Sequence, residues 1–309
     1  METEQGNIKH RAGAKKRTVP APPKVIAAMP AYNEESYIGT MVLKTKQYVD
    51  EVIVVDDGST DNTSKIARLA GAKVVRHTRN KGYGAAIQSI LAEAKRRKPD
   101  VLVLLDADAQ HNPNEIPHII KPILEGFDVV IGSRELQKNS IPFYRRIGQK
   151  VLLHSTNILS RKRLSDSESG FRCFSKKAIN LLELKEDGMA VSAETVAEAA
   201  SKGLEVTEIP ISIKYTKDGS TLNPVAHGLE VLTRIIAMIS ERRPLFFFGL
   251  GGIILTIVGL LTGIRVVQII STSGLLPVGT ALISILLVIL GILSIFTGII
   301  LHVLVKKGD

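Results

Sequence analysis

The sequence predicts an α/β domain built on a mainly parallel sheet, followed by a hairpin of two membrane-spanning helices. Between residues 24 and 215, short apolar runs rich in β-branched residues alternate with helical stretches. Residues 245–305, by contrast, contain a single charged residue, Arg265. An apolar stretch of that length excludes a wholly soluble protein and an intrinsically disordered one.

Each element of the first region follows from its local pattern. Five apolar runs predict strands, at residues 24–29, 51–55, 72–76, 101–105 and 128–131. Four stretches between them predict helices, at residues 35–48, 62–70, 84–98 and 114–125. Gly71 stands where a helix C′ residue belongs. Continuous apolar strands separated by helices indicate a parallel sheet that is covered on both faces, and ligands of such sheets bind beyond the carboxyl ends of the strands.

Composition limits the classes of partner. The chain has 309 residues and a net charge of +10, which favours polyanionic partners such as phosphorylated substrates and anionic lipids. Aromatic residues make up only 5% and tryptophan is absent, so a nucleic-acid partner is not expected. The single cysteine, Cys173, excludes an internal disulfide framework and a cysteine-built metal cluster.

The strongest local signal for chemistry follows the run at 101–105. Asp106 and Asp108 would point the same way in an extended segment, and Gln110 continues that alternation with an amide oxygen. A divalent cation relieves the repulsion between two such carboxylates, and oxygen ligands suit Mg²⁺ or Mn²⁺. The alternative is a strand-end loop with solvated or capping aspartates.

Other loops at strand ends carry weaker signals. Asp56 and Asp57 end an apolar strand, where their carboxylates can accept hydrogen bonds from a ribose or a base. Residues 79–86 are glycine-rich, but Ile87 stands where a dinucleotide fingerprint needs its third glycine. No Walker loop is present either, so a Rossmann oxidoreductase and a P-loop NTPase are poorly supported.

Six segments in order resemble glycosyltransferase family 2: residues 30–34, 56–61, 79–84, 106–111, 132–134 and 169–172. The branch with the greatest similarity is that of the dolichyl- and polyprenyl-phosphate sugar synthases, including dolichol-phosphate mannose synthases. The resemblance implies a GT-A fold, a nucleotide-sugar donor, a divalent cation and an inverting transfer of a hexose. It also implies a polyprenyl or dolichyl monophosphate as the acceptor.

The resemblance assigns roles to individual residues. Contacts with the nucleotide sugar are expected from Pro30, Tyr32, Glu34, Val55, Asp57, Asp106, Ala107 and Asp108. Asp106, Asp108 and Gln110 are expected to hold the metal ion. Arg134, Arg145 and Arg172 are expected at the acceptor phosphate. Asp108, Arg134 and Arg145 are the residues expected to be catalytic.

The chain departs from the family pattern at two positions. Relatives often carry a serine four residues beyond the second arginine, where this chain has Gln149. They also often carry a lysine after a Gly/Ser turn before the membrane part, where this chain has Thr221. We expect Lys217 to replace that contact with the diphosphate.

Five regions are expected along the chain: a basic tail at 1–23, the glycosyltransferase domain at 24–215, an amphipathic juxtamembrane segment at 216–243, two transmembrane helices at 244–305 and a tail at 306–309. Arg242 and Arg243 precede the first span, while Lys306 and Lys307 follow the second. The positive-inside rule then predicts a multi-pass protein of the cell membrane with a cytoplasmic catalytic domain. The helical pattern at 227–240 fits a core helix, but its position just before a membrane segment favours an interfacial helix.

Several points stay open at this stage. Gly249, Gly251 and Gly252 would allow a homo-oligomer to form through the membrane helices. UDP-glucose, GDP-mannose and similar donors are equally compatible with the sequence. The rival functions are a glycosyltransferase with a different lipid or glycan acceptor, a processive polysaccharide synthase and a non-catalytic scaffold. The missing tryptophan disfavours the synthase, whose relatives carry a Gln-x-x-Arg-Trp motif, and the intact aspartates disfavour the scaffold.

Overall fold

A computed structural model describes residues 22–134, 153, 157, 164–213 and 224–308. The expectations for the tail at 1–21, for Arg145 and for Lys217 lie outside these residues.

Seven strands form the sheet: β1 (Val25–Ala31), β2 (Glu51–Asp56), β3 (Lys73–Arg76), β4 (Val101–Leu104), β5 (Val129–Ser133), β6 (Arg172–Ser175) and β7 (Val206–Pro210). The helices that are described in full in this domain are α1 (Ile38–Thr45), α2 (Thr63–Leu69), α3 (Tyr83–Arg97), α4 (Ile116–Leu124), α5 (Lys176–Leu181) and α6 (Val191–Ser201). All five predicted strands and all four predicted helices are confirmed, with ends displaced by a few residues. Gly71 has φ +91° just beyond α2, as its predicted helix-ending position requires.

The sheet has the order β3-β2-β1-β4-β6-β5-β7. Strand β6 runs antiparallel to both β4 and β5, and every other pairing is parallel. The sheet is therefore mainly parallel, as predicted. The carboxyl ends of β1, β2 and β4 lie side by side, since Ala31 pairs with Asp56 and Ala28 pairs with Leu104.

Alternate residues of the central strands enter two separate cores. Ala27, Met29 and Val54 pack on the face covered by α1, α2 and α4. Ile26 and Ile53 pack on the opposite face, with α3. Because both faces of these strands are buried, the sequence shows continuous apolar runs instead of an apolar/polar alternation.

Three long helices follow the sheet: α7 (Pro224–Arg242), α8 (Pro244–Ser273) and α9 (Val278–Gly308). The apolar face of α7 packs on the α/β domain, where Ile235, Met238 and Ile239 contact Ala190, Ala193 and Ala197. The structure thus supports the core interpretation for these three residues of α7.

Helices α8 and α9 are both long and apolar enough to cross a membrane. They pack tightly as a pair, because a side-chain carbon at Gly252 would lie 2.5 Å from the carbonyl oxygen of Gly291. Ser284 Oγ also donates a 2.7 Å hydrogen bond from α9 to the carbonyl oxygen of Gly259 in α8. Gly252 is therefore used within the hairpin, whereas Gly251 faces open space.

Candidate active site

A cavity of about 1010 Å³ opens where β1, β2 and β4 end. The loops after these strands contribute Pro30, Ala31, Tyr32, Glu34, Asp57, Asp106, Ala107 and Asp108 to its lining. The remaining lining residues are Asn80, Gly82, Tyr83, Ala86, Glu168, Gly170, Gly188, Met189, Ala190, Thr233 and Arg234. Seven of the residues expected at the nucleotide sugar are thus brought together here.

Asp106 and Asp108 both reach this cavity, although the chain beyond β4 is bent and not extended. Ala109 adopts φ +62°, in the left-handed region, so the chain turns directly after Asp108. The turn lets Asp108 accept hydrogen bonds from the main-chain N–H of Gln110 at 3.0 Å and from its side-chain amide at 2.7 Å. Gln110 itself is not part of the cavity lining, so it orients Asp108 in this structure.

The position of Asp106 depends on its neighbours in three other segments. The hydroxyl of Tyr83 donates to Asp106 Oδ1 at 3.3 Å, and the Asp106 main-chain N–H donates to His111 Nδ1 at 3.1 Å. His111 is in turn buried and stacked on Phe171. A side-chain carbon at Gly170 would lie 2.5 Å from Asp106 Oδ2, so only glycine leaves room for the carboxylate in this orientation.

The centre of the cavity carries an excess of negative charge. Burial, followed by repulsion from Asp108 and Asp106, raises the pKa of Glu34 to about 7. Burial, followed by repulsion from Asp106, also raises the pKa of Asp108. Within the described ranges, no group of three or more His, Cys, Asp or Glu side chains is arranged to hold a metal ion alone. The carboxylates of Asp106 and Asp108 line one cavity and are oxygen donors of the kind that Mg²⁺ or Mn²⁺ takes, with further ligands left to a diphosphate or water.

Asp57 organises the other end of the cavity. Its carboxylate accepts hydrogen bonds from the main-chain N–H groups of Lys81 and Gly82, both at 2.9 Å. His77 Nδ1 lies 2.6 Å from Asp57 Oδ1, and His77 Nε2 lies 2.9 Å from the hydroxyl of Ser89. The buried carboxylate thus fixes the glycine-rich loop before α3 against the end of β2.

A strap formed by residues 184–190 closes the cavity on one side. Glu194 of α6 accepts hydrogen bonds from the main-chain N–H groups of Lys185 and Glu186. The carbonyl oxygen of Asp187 accepts a hydrogen bond from the main-chain N–H of Gly84 at 2.7 Å. A side-chain carbon at Gly84 would overlap the carbonyl oxygen of Glu186. The start of α3 and the strap are therefore in direct main-chain contact, which needs glycine at position 84.

Two acidic residues from the loop before β6 have different surroundings. Burial raises the pKa of Glu168 to about 6, and its carboxylate lines the cavity. Burial would also raise the pKa of Asp166, but hydrogen bonds from Arg134 outweigh that effect and hold the pKa below its ordinary value. Arg134 Nε and Nη2 donate to the two oxygens of Asp166 at 2.6 and 2.8 Å.

Arg172, expected at the acceptor phosphate, has its guanidinium held by other groups of the protein. Its guanidinium is buried and donates to the main-chain carbonyl oxygens of Ser169, Ser192 and Ser167 at 2.8, 2.9 and 2.6 Å. All three nitrogens are thereby used to connect the loop before β6 to α6. Arg172 therefore stabilises the wall of the cavity, and its contact with the acceptor phosphate stays a prediction.

Val55, expected at the nucleotide sugar, belongs to the core, and its contact stays a prediction that would need its main chain. Its side chain is fully buried in the core on the α3 face of the sheet, because it alternates with Val54 along β2. The residue is absent from the cavity lining, so a side-chain contact with a nucleotide is not available to it.

Several lining residues were not predicted. Tyr83 looks like an ordinary first helical residue, and Met189 and Ala190 lie in a stretch without a motif. Thr233 and Arg234 come from α7, about 130 residues after Asp106 in the sequence. No local pattern could indicate them, since only the packing of α7 on α6 brings them to the cavity.

Comparisons with known proteins agree with this geometry. Residues 26–181 match the model of glycosyl transferase family 2. A UDP-N-acetylglucosamine–dolichyl-phosphate N-acetylglucosaminyltransferase of Methanococcus voltae is 34% identical over 214 residues, which cover 61% of this chain and 85% of the relative. A dolichol-phosphate mannosyltransferase of Pyrococcus furiosus is 30% identical over 211 residues, covering 64% of this chain and 58% of the relative.

Among solved structures, a glucosyl-3-phosphoglycerate synthase of Mycobacterium tuberculosis has a similar fold. The TM-score is 0.56 at 21% identity, and the match covers 71% of this chain and 80% of the other. That enzyme was crystallised with Mn²⁺, UDP and glucosyl-3-phosphoglycerate. The similarity identifies the fold of this domain as the GT-A type expected from the sequence.

Proposed function

Because this chain belongs to glycosyl transferase family 2 and is a glycosyltransferase, we propose that it transfers a hexose from a nucleotide sugar to a polyprenyl or dolichyl monophosphate. One observation carries this proposal. The cavity that holds Asp106 and Asp108 is also lined by Thr233 and Arg234 of α7, the helix that leads directly into the apolar hairpin. A soluble donor and a membrane-bound acceptor would both have access to such a site.

The donor's nucleoside diphosphate would be held at the ends of β1, β2 and β4. Tyr32 and Pro30 offer an exposed aromatic ring and an apolar surface for the base, and Asp57 stands beside them. Asp106 and Asp108, with Glu34 close by, would hold Mg²⁺ or Mn²⁺, which would neutralise charge on the departing nucleoside diphosphate. Support for the cation comes from the excess of carboxylates and from the Mn²⁺ in the structural relative.

The acceptor needs little activation. A phosphomonoester has a second pKa near 6, so it is largely a dianion at pH 7 and already a competent nucleophile. A phosphate oxygen would form a bond to the anomeric carbon while the bond from that carbon to the diphosphate breaks, with inversion. The protein has to hold the acceptor phosphate and the donor diphosphate in line for the reaction. Arg134 can assist in this, because Asp166 orients its guanidinium.

The relatives favour a lipid phosphate over other acceptors. The names of the two relatives given above differ in the sugar, N-acetylglucosamine or mannose, but both names include dolichyl or dolichol phosphate. We therefore propose the acceptor class and leave the sugar and the nucleotide open. Roles for Arg145 and Lys217 at the phosphates remain part of this proposal.

Placement in the membrane follows from the two apolar helices. Their lengths of 30 and 31 residues exceed the roughly 20 residues needed to cross a bilayer. Arg243 precedes α8, and Lys306 and Lys307 stand at the end of α9. By the positive-inside rule we propose that these ends and the catalytic domain are cytoplasmic.

A donor screen tests the proposal. Purified protein in detergent would receive undecaprenyl phosphate, Mg²⁺ or Mn²⁺, and radiolabelled UDP-glucose, GDP-mannose or UDP-N-acetylglucosamine in turn. We expect one donor to pass its label into the organic phase in a cation-dependent reaction. Donor binding or hydrolysis without transfer from any of them would contradict the proposed acceptor while leaving the donor site in place.

A further inference from the structure

The charge of the cavity poses a problem for an anionic acceptor. Its lining includes five carboxylates, from Glu34, Asp57, Asp106, Asp108 and Glu168. Among the described residues of the lining, Arg234 supplies the one cationic side chain. A phosphate that enters the cavity would therefore be repelled by these carboxylates and attracted by Arg234 and any bound cation.

Two other described arginines near the cavity, Arg172 and Arg134, are less exposed than Arg234. Arg172 gives its nitrogens to three main-chain carbonyl oxygens, as described above. Arg134 directs Nε and Nη2 at Asp166 in a two-bond arrangement. Arg234 differs from both because 60% of its side chain is exposed.

The hydrogen bonds of Arg234 leave the outer edge of its guanidinium open. Only Nε is engaged, and it donates to the two oxygens of Glu186 at 2.7 and 3.0 Å. Nη1 and Nη2 make no hydrogen bond with the part of the chain that the structure describes. A planar guanidinium oriented at Nε can present its two remaining nitrogens to a phosphate in a paired contact.

Glu186 is well placed to orient this arginine. Its own main-chain N–H donates to Glu194 at 2.9 Å, and its carbonyl oxygen accepts from the side chain of Gln88 at 3.1 Å. The main chain of Glu186 is therefore held on the strap, and its side chain is only 12% exposed. Arg234 lies eight residues before the end of α7, about 12 Å along the helix axis from the end that precedes the apolar hairpin.

We propose that Arg234 is a binding residue for the acceptor, which contacts the lipid-borne phosphomonoester through Nη1 and Nη2 while Glu186 holds Nε. This inference rests on the proposed function and adds to it a residue on the membrane-side helix. It also assigns Glu186 the part of a positioning residue.

Binding of a short acceptor separates this role from a general loss of structure. The protein would be placed in phosphatidylcholine nanodiscs, where headgroup phosphates are a constant background. The affinities for farnesyl phosphate and for farnesol would then be compared in the wild type, in Arg234→Ala and in Arg234→Lys. We expect the wild type to prefer the phosphate, and Arg234→Ala to reduce that preference about tenfold or more. The preference of Arg234→Lys for the phosphate should lie between those of the wild type and Arg234→Ala. Lysine keeps the positive charge but cannot make the paired contact of a guanidinium.

Two further variants sharpen the test. Arg96→Ala removes an arginine from an exposed Arg96–Glu93 pair on α3 and should leave the preference unchanged. Glu186→Gln should weaken farnesyl phosphate binding less than Arg234→Ala does, since the arginine remains but loses its fixed orientation. The affinity for UDP and GDP should be the same in all of these variants.

The outcomes distinguish the two proposals. A wild type that binds farnesyl phosphate no better than farnesol would overturn the proposed acceptor, and the role of Arg234 with it. A wild-type preference that persists in Arg234→Ala would overturn the role of Arg234 alone. If Arg234→Ala lost affinity for UDP or GDP and kept its preference for farnesyl phosphate, Arg234 would belong to the donor site. That result would also contradict the inference.

Discussion

At the scale of single residues, the orientation of the Asp106 carboxylate depends on the lack of a side chain at Gly170. Gly170 belongs to the loop before β6, and its α-carbon faces the Asp106 carboxylate so closely that a methyl group would overlap both oxygens. Because the carboxylate is the end of a side chain that can rotate, a larger residue at 170 would move it without disturbing the main chain.

Gly170→Ala should therefore impair the reaction more than the fold. We expect a loss of transfer of about 100-fold, as is typical when a reacting group is displaced by about 1 Å, with little change in Tm. Gly188→Ala is the matched control, since Gly188 also lines the cavity but has open space around its α-carbon. Activity and thermal melting of both variants check this, and an active Gly170→Ala enzyme would contradict the assigned position of Asp106.

Asp108 provides a second test at this scale. Asp108→Asn keeps the size of the side chain but removes a negative charge, so transfer should fall by at least about 100-fold if the residue holds a cation at the diphosphate. Glu125→Gln makes the same chemical change at an exposed position at the end of α4 and should be neutral. Near-normal turnover of purified Asp108→Asn would refute the metal assignment.

The acidic residues of the site could be predicted from the sequence, but the groups that its arginines bond could not. Asp57, Asp106 and Asp108 could be predicted because carboxylates at the ends of apolar strands have few structural reasons to be there. Arg172 could not be judged in this way, since its three bonds go to main-chain oxygens, which leave no trace in side-chain patterns.

At the scale of elements, α7 links the catalytic domain to the hairpin. Its amphipathic pattern was visible in the sequence, but the surface that receives it was not. That surface is a row of alanines on α6 and just before it, where small side chains let the two helices approach closely. The position of Thr233 and Arg234 at the cavity is a consequence of this contact.

Ile235→Ala should loosen α7 from the domain. Ile235 is fully buried, and truncation of a buried isoleucine costs about 2–5 kcal/mol. We expect faster amide hydrogen exchange along α7 and weaker acceptor binding. Ile236→Ala is the control, because the neighbouring side chain is 40% exposed. Equal exchange in the two variants would show that α7 is not held by this contact.

The strap at residues 184–190 was not predicted at all. It has no strand or helix pattern, and it is held mainly by main-chain groups that bond to Glu194, Gly84 and Gln88. Interactions of this kind depend on the fold around them. Strands β1 to β5 were predictable for the opposite reason, since burial on both faces marks each one locally.

At the scale of the whole molecule, the hairpin is a close-packed pair in which glycines face glycines and serines bond across the helices. Gly252→Leu should separate α8 from α9, because even one carbon at this position overlaps Gly291 and Ile295. We expect the Tm in detergent to fall by a few degrees or more. Gly251→Leu, directed at open space, should melt like the wild type.

The glycines predicted to allow a homo-oligomer thus have unequal roles. If Gly252→Leu were as stable as the wild type while Gly251→Leu lost stability, the packing within the hairpin would be contradicted. An association of hairpins through the Gly251 face would then account better for both results.

We propose that this family 2 glycosyltransferase transfers a sugar from a soluble donor to a lipid phosphate at the membrane. The most direct measurement supplies the donor identified in the screen together with either a polyprenyl phosphate or the corresponding polyprenol, with and without a chelator. We predict labelled lipid only with the phosphate and only when Mg²⁺ or Mn²⁺ is present. Equal transfer to the polyprenol, or transfer that survives complete removal of the cation, would contradict the account.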